Sequence, residues 1–176
     1  PKTSGAKPAI LAVADFDGDR QQDFYFSIAG ANGSSAQRFL LKNDFGHYVD
    51  ITSNSGISHS GEDLSAVFVD FDNDGFLDLF ITNTERNQLY RNAGVGKFEN
   101  VSGSAGIESP AGASRAVVAD PDHDGALDLL LLMTGPNVLL RNNLDGTFTE
   151  RASAMKLDGP ESATTGADIG DFDEDG

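Results

Sequence analysis

The sequence contains a short acidic pattern whose residue types and spacing suit the binding of a metal ion. Asp recurs at positions 1, 3, 5 and 9 of a nine-residue segment, and this pattern is present in three complete copies. The copies are Asp15, Asp17, Asp19 and Asp23; Asp70, Asp72, Asp74 and Asp78; and Asp120, Asp122, Asp124 and Asp128. A fourth copy begins with Asp171, Asp173 and Asp175. Four carboxylates this close together repel one another unless a cation lies among them.

This set of oxygen donors indicates Ca²⁺. Ca²⁺ accepts six to eight oxygen ligands at variable angles, whereas Mg²⁺ requires a stricter octahedron and Zn²⁺ prefers His or Cys. We expect about one Ca²⁺ per complete loop, with a main-chain carbonyl at position 7 as a further ligand. These carbonyls belong to Gln21, Phe76 and Ala126. The pattern is not an EF-hand, because position 12 is apolar in every complete copy where an EF-hand needs a bidentate Glu.

Position 6 distinguishes the three complete copies. It is Gly75 in the second copy and Gly125 in the third, but Arg20 in the first. A sharp turn at this position favours glycine, and a non-glycine residue in a left-handed conformation costs roughly 1–2 kcal/mol. We therefore expect the first loop to bind Ca²⁺ most weakly.

The segments around the Asp clusters repeat as well, with a period of about 50 residues. An apolar run lies on each side of every complete cluster, a third run ends in Asn, and a Gly-bearing turn then precedes an aromatic residue. The runs are about five residues long and rich in β-branched and aromatic residues, which favours strands over helices. Four short strands per unit are typical of β-propeller blades. The sequence thus predicts an all-β fold whose blades each carry a calcium loop between their first two antiparallel strands.

The repeat also predicts the domain organisation. A lead-in at 1–7 precedes blades at 8–60, 61–110 and 111–160, and residues 161–176 begin a fourth. Propellers close with about four to eight blades, so we expect the chain to be a fragment of a longer propeller. The first two strands of each unit are nearly all apolar and should be covered on both faces, while the mixed fourth strand suits an outer edge.

Composition excludes several classes of function. The chain has 28 acidic and 12 basic residues and a net charge of −16, which argues against nucleic acid and against anionic membrane surfaces. No apolar run is long enough for a transmembrane helix, and without Cys there is no disulfide framework. No nucleophile motif is present, and no His has an obvious carboxylate partner in the sequence. We therefore predict that the protein is not an enzyme.

The repeats resemble FG-GAP/VCBS repeats, as found in integrin α-subunit propellers and in ASPIC/UnbV-associated, cartilage acidic protein-like proteins. The resemblance rests on Asp-Phe-Asp-x-Asp-Gly-x-x-Asp, Leu-Tyr-Arg-Asn (89–92), Gly-Lys-Phe-Glu-Asn-Val-Ser (96–102) and Ala-Gly-Ile (105–107). It implies a propeller fold, structural Ca²⁺ in the Asp loops, and a secreted or surface-displayed protein. The chain departs from the pattern at Arg20, at Pro121 and at Met155-Lys-Leu, and we interpret the last two as packing variants.

These observations favour a calcium-stabilised extracellular scaffold for adhesion or for protein or glycan interaction. The alternatives are a subunit of a calcium-stabilised surface filament and a non-catalytic part of a polysaccharide-active enzyme. We expect the partner at the loop face opposite the calcium sites, where the first unit has a longer connection at 29–37, or self-association through open blade faces. Lys42, Arg91 and Arg141 share one repeat position, which we interpret as a blade-to-blade contact.

Overall fold

A computed structural model describes residues 10–30, 35–107, 110–153, 156, 163–164, 166–168 and 170. The fourth Asp cluster, residues 171–175, lies outside this part of the chain, as does most of the predicted fourth blade. Among the helices of the described ranges, none has the length and apolar character that crossing a membrane requires.

The described chain forms three four-stranded antiparallel sheets, each with its strands in chain order. Sheet 1 consists of β1 (Ile10–Ala14), β2 (Asp23–Ile28), β3 (Gln37–Asp44) and β4 (His47–Asp50). Sheet 2 consists of β5 (Asp63–Val69), β6 (Asp78–Asn83), β7 (Gln88–Asn92) and β8 (Phe98–Asn100). Sheet 3 consists of β9 (Arg115–Ala119), β10 (Asp128–Leu132), β11 (Val138–Asn142) and β12 (Phe148–Glu150). The predicted all-β fold of four-stranded blades is confirmed.

Burial changes across each sheet as the residue types predict. Every residue of β6 is buried, and every residue of β4 is exposed. The fourth strand is therefore an outer edge, as expected. The prediction of two fully covered strands per blade is correct for the second strand of sheet 2, whereas most of β5 and β9 is only partly buried.

The three sheets pack side by side through their first strands, with β1 next to β5 and β5 next to β9. Two apolar clusters fill the interfaces, one between sheets 1 and 2 and one between sheets 2 and 3. Phe16 packs against Phe68 and Phe98 of sheet 2, with ring centroids 5.9 and 5.8 Å apart, and Phe71 packs against Phe148 of sheet 3 at 5.6 Å. Burying each such side chain contributes about 1.5–3 kcal/mol, so the aromatic residues hold neighbouring blades together.

Two short helices were not predicted from the sequence: α1 (Thr52–Ser55) and α2 (Ser102–Ala105). Each helix follows the outer strand of its sheet. The hydroxyl of its first residue accepts a backbone N–H from the third strand of the same sheet: Leu40 N donates to Thr52 Oγ1 at 2.8 Å, and Leu89 N donates to Ser102 Oγ at 2.9 Å. α1 ends at Gly56, where φ is +88° and a Cβ would lie 2.2 Å from the Phe98 carbonyl oxygen. Glycine is required there by both conformation and space.

Candidate metal sites in the Asp loops

We call the segments 15–23, 70–78 and 120–128 Asp loops 1, 2 and 3. Each joins the first and second strands of its sheet, as predicted. The first Asp organises the loop by accepting backbone amides. Asp15 accepts from Asp19 N at 3.0 Å and Arg20 N at 2.7 Å, and Asp70 and Asp120 accept the equivalent pairs at 2.9–3.1 Å. All three loops therefore share one backbone conformation.

This conformation requires left-handed backbone at two positions. Position 4 has φ between +55° and +77° in the three loops; it is Gly18 in loop 1 and Asn73 and His123 in loops 2 and 3, and Asn and His adopt this conformation more readily than most residues other than glycine. At position 6, Gly75 and Gly125 have φ of +89° and +85°, and Arg20 has φ of +68°. The predicted left-handed conformation of position 6 is confirmed, so Arg20 carries a strain of roughly 1–2 kcal/mol that the two glycines avoid.

The loops bring three carboxylates together, with one oxygen of each within 4.8 Å of the others. In loops 1 and 3 these are positions 1, 3 and 5, namely Asp15, Asp17 and Asp19, and Asp120, Asp122 and Asp124. In loop 2 they are positions 1, 3 and 9, namely Asp70, Asp72 and Asp78. The predicted ligands Asp23, Asp74 and Asp128 lie outside these groups of three. Residues at position 7, Gln21, Phe76 and Ala126, each donate their backbone N–H to the carboxylate at position 5 at 2.9 Å.

The Asp at position 9 is buried beneath its loop in all three copies. One oxygen of Asp23, Asp78 and Asp128 accepts the backbone N–H of the Asn at or next to the end of the third strand, each at 2.8 Å. Burial raises the pKa of all three carboxyls, in Asp78 to about 6, against the lowering effect of these hydrogen bonds. A bound cation would offset this cost of burying a charge.

Pro121 makes loop 3 different from the other two. In loops 1 and 2 the second oxygen of position 9 accepts the N–H of position 2, from Phe16 to Asp23 and from Phe71 to Asp78, both at 3.1 Å. Proline has no N–H to donate. Asp128 Oδ2 is buried and has no hydrogen-bond partner among the described residues. The interpretation of Pro121 as a packing variant was therefore incomplete, because Pro121 leaves a buried carboxylate oxygen unpaired; Met155 lies outside the described residues.

The basic residue near the end of each third strand pairs with its own Asp loop. Lys42 contacts Asp17 and lies 3.2 Å from Asp19; Arg91 lies 2.9 Å from Asp72 and 3.5 Å from Asp74; Arg141 lies 2.7 Å from Asp122 and 2.5 Å from Asp124. The interpretation of these residues as blade-to-blade contacts was wrong. All three side chains are 31–50% exposed, so these ion pairs contribute little to stability.

In sheets 2 and 3, the Asn that follows the basic residue makes a contact with the preceding blade. Asn92 Nδ2 donates to the carbonyl of Phe16, and Asn142 Nδ2 donates to the carbonyl of Phe71, both at 2.8 Å. Each acceptor is position 2 of the preceding blade's Asp loop. The loops are thus attached directly to the next blade, and ordering of a loop is coupled to the blade interface.

A second charged cluster, which sequence reasoning missed, lies between sheets 1 and 2. Asp63, at the start of β5, accepts hydrogen bonds from Tyr25 Oη at 2.7 Å and from Arg38 Nη2 at 2.9 Å, and its Oδ1 lies 2.7 Å from His59 Nε2. Burial alone would raise the pKa of Asp63, but the hydrogen bonds from His59, Arg38 and Tyr25 outweigh it and hold this pKa well below its usual range. The spacing of four residues between His59 and Asp63 was the signal available in the sequence.

The same contacts determine what His59 can do chemically. Its Nδ1 lies 2.9 Å from Tyr90 Oη, and its Nε2 lies 2.7 Å from Asp63. His59 therefore has a carboxylate partner, contrary to our expectation from the sequence. Because both ring nitrogens are engaged and the side chain is 3% exposed, this cluster is suited to joining two blades rather than to activating a nucleophile.

Comparison with known proteins supports the interpretation of the repeats. A family model described as FG-GAP-like repeat matches residues 15–81, 70–131 and 120–176. Cartilage acidic protein 1 from Mus musculus and from Homo sapiens is 29% identical over 90 residues, which covers 48% of this chain. The match spans only 14% of the length of these relatives.

Proposed function

The chain belongs to the family of FG-GAP-like repeat proteins, and from this premise we propose that it is a calcium-binding, non-enzymatic scaffold that acts outside the cell in adhesion or in binding proteins or glycans. The observation that carries the calcium proposal is Asp128 Oδ2, a buried carboxylate oxygen without a partner in a loop where three other carboxylates converge. An unsatisfied buried charge of this kind is retained where an ion binds.

The residues present fit Ca²⁺. Each Asp loop offers only oxygen donors, from the carboxylates at positions 1, 3, 5 and 9 and the carbonyl at position 7, which is the hard donor set that Ca²⁺ prefers. A bound ion supplies two positive charges and cross-links the loop. The four copies contain 15 Asp, more than half of the 28 acidic residues, so we assign most of the negative charge to binding cations rather than to a general acidic surface. We extend the proposal to Asp171, Asp173 and Asp175.

The proposed ions act on the blade interfaces as well as on the loops. Position 9 begins the second strand, and position 2 accepts the hydrogen bond from the next blade through Asn92 or Asn142. An ion that orders positions 1 to 9 therefore also orders the acceptor of this contact. Calcium in this protein stabilises a binding surface and takes no part in catalysis.

The three loops are expected to fill in a fixed order as Ca²⁺ is added: loop 3 first, loop 2 next and loop 1 last. Loop 3 is expected to have the highest affinity because Ca²⁺ gives Asp128 Oδ2 a partner, and satisfying a buried polar group is worth about 1–3 kcal/mol. Loop 1 is expected to have the lowest affinity because of the backbone strain at Arg20. Amide NMR signals of the three loops, followed through a calcium titration, report each site separately.

Two matched variants test the reasons for this order. Pro121→Phe restores the residue found at this position in loops 1 and 2. This variant should lower the calcium affinity of loop 3, so that loops 2 and 3 fill at the same Ca²⁺ concentration. Arg20→Gly restores the glycine of loops 2 and 3 and should tighten loop 1 by roughly fivefold to thirtyfold, the equivalent of the relieved strain. Unchanged filling in both variants, or loop 1 filling first in the native chain, would contradict the assignment.

The expected partner site lies at the edge of the sheets opposite the Asp loops. A polar recess of ≈ 590 Å³ supports it, since it is formed between sheets 1 and 2 from the connections at that edge. Its lining includes Arg38, His59, Ser60, Glu62 and Glu85. Such mixed charge and hydroxyl groups suit a glycan or a polar peptide. Shortening the 29–37 connection, whose residues 31–34 lie outside the described part, should abolish partner binding if this edge is used.

Self-association into a filament is the second candidate. Val13, Tyr48 and Val49 are 46–49% exposed in sheet 1, and exposed apolar residues of this kind favour contact between copies. Light scattering with Ca²⁺ and with EGTA separates the two: reversible large assemblies indicate a filament, and single chains with Ca²⁺ indicate a binding module.

A further inference from the structure

A groove lies between sheets 2 and 3, next to Asp loop 2. Its volume is ≈ 260 Å³, and its surface is mainly apolar, formed by Phe71, Leu89, Val101 and Phe148. Polar groups also line it, among them Asp72, Asp78 and Arg91 from the side of Asp loop 2 and Asp145 from the side of sheet 3. An enclosed apolar cavity of about 150 Å³ is already large enough to bind a benzene molecule. The groove is therefore large enough for one apolar side chain.

The repeat explains why the groove is open. Between sheets 1 and 2, a Cβ placed on Gly96 would lie 2.7 Å from Ile51 Cδ1 and 3.3 Å from Phe16 Cε2. Gly146 occupies the same repeat position in sheet 3, and a Cβ placed there meets nothing within 4 Å. The residue equivalent to Ile51 is Val101, which lacks the δ-methyl group that fills this space.

A second replacement removes a polar contact across the same space. Lys97 Nζ donates to the carbonyl of Asn54 in α1 and so spans the interface between sheets 1 and 2. Its repeat equivalent in sheet 3 is Thr147, whose hydroxyl donates instead to Asp145 Oδ1 within its own turn. Asp145, which replaces Val95, adds an exposed carboxylate beside the groove. Compared with the interface between sheets 1 and 2, the groove therefore lacks the δ-methyl group of an isoleucine and the ammonium group of a lysine, and it has an additional carboxylate.

We propose that this groove binds a polypeptide segment that presents a branched aliphatic side chain next to a lysine. The aliphatic side chain takes the place that Ile51 fills in the neighbouring interface, and the ammonium group takes the place of Lys97 beside Asp145. The net charge is −16 without bound ions, and the part that Ca²⁺ in the Asp loops does not neutralise favours a basic partner at longer range. This inference goes beyond the proposed function, because it concerns a different surface from the recess opposite the Asp loops.

The test is an NMR titration of the 176-residue chain, with saturating Ca²⁺, using the peptide acetyl-Gly-Ile-Lys-Gly-amide. We expect saturable shifts at the amides of Val101, Gly146 and Thr147. Replacing Ile by Gly in the peptide should weaken binding by roughly tenfold or more, because the apolar contact is lost. Replacing Lys by Glu should weaken it as well.

Protein variants provide the matched controls. Val101→Ile with Thr147→Lys copies the filled interface and should weaken binding by roughly tenfold or more. Asp145→Asn, at an exposed position, should weaken it about twofold to fivefold. Calcium binding is measured in the same samples, so a failure of the groove is distinguishable from a failure of the calcium sites. Absence of saturable shifts in the native chain, or equal affinity in the filled variant, overturns the proposal.

Discussion

Replacing Asp63 by Ala is expected to destabilise the protein by about 3–5 kcal/mol, because it removes the carboxylate that joins sheet 1 to sheet 2. Arg38 and His59 would remain in place with side chains only 11% and 3% exposed, and Tyr25 would lose its hydrogen-bond acceptor. A buried positive charge without its partner costs far more than an exposed one. Urea unfolding followed by circular dichroism measures the change in the free energy of unfolding.

The interface between sheets 2 and 3 contains the matched control for this experiment. Ala113 occupies the repeat position of Asp63, and Asn87 occupies that of Arg38. Asn87 Nδ2 donates to the carbonyls of Ile107 and Pro110, as Arg38 does to those of His59 and Gly61. The double variant Arg38→Asn/Asp63→Ala should therefore be more stable than Asp63→Ala by about 1–2 kcal/mol. A loss below about 1 kcal/mol in the single variant would show that this cluster does not join the blades.

Chelation of Ca²⁺ is expected to lower the melting temperature substantially. A site held at a hundredfold excess of Ca²⁺ over its Kd stabilises the native state by about 2.7 kcal/mol, so three sites contribute around 8 kcal/mol. For a chain of this size each kcal/mol corresponds to about 2–4 °C, which gives a shift on the order of 15–30 °C. Calorimetry with Ca²⁺, with excess EGTA and with Mg²⁺ in place of Ca²⁺ measures it; equal melting temperatures would contradict the structural role of the ion.

The pH dependence of this effect follows from the buried Asp at position 9. Its pKa is raised on folding, to about 6 in Asp78, so without Ca²⁺ its favourable contribution is present below the unfolded pKa and is lost as the pH rises through the folded pKa. Stability in EGTA should therefore fall between about pH 4 and 6. Because Ca²⁺ requires the ionised carboxylate, calcium stabilisation should grow over the same range. Asp63, with its lowered pKa, acts in the opposite direction and loses its contribution only as the pH falls below the usual Asp range.

Local patterns in the sequence were sufficient to predict the blades and the Asp loops. The alternation of apolar runs and turns determines the strands, and the left-handed conformation of Arg20 followed from the glycines at the same position in the other copies. These features depend on residues close together in the chain, and each is repeated. The repeat itself supplied the comparison that a single copy would lack.

Contacts between strands and between blades could not be predicted in the same way. The pairing of Arg91 with its own loop depends on the direction of a side chain on the third strand, which the repeat position alone does not define. The effect of Pro121 depends on a hydrogen bond to Asp128 across the loop, and that bond is visible only by comparison with Phe16 and Phe71. The Asp63 cluster is formed by residues from two blades and has no copy in the next interface.

The most direct test of the calcium proposal is to count the ions bound to the purified chain by equilibrium dialysis with ⁴⁵Ca²⁺. The three described loops predict at least three Ca²⁺ per chain, with a fourth if residues 171–175 also bind. Asp128→Asn should remove one of them and leave the others. A chain that binds no Ca²⁺ at millimolar concentration, or the same number after Asp128→Asn, would contradict the account.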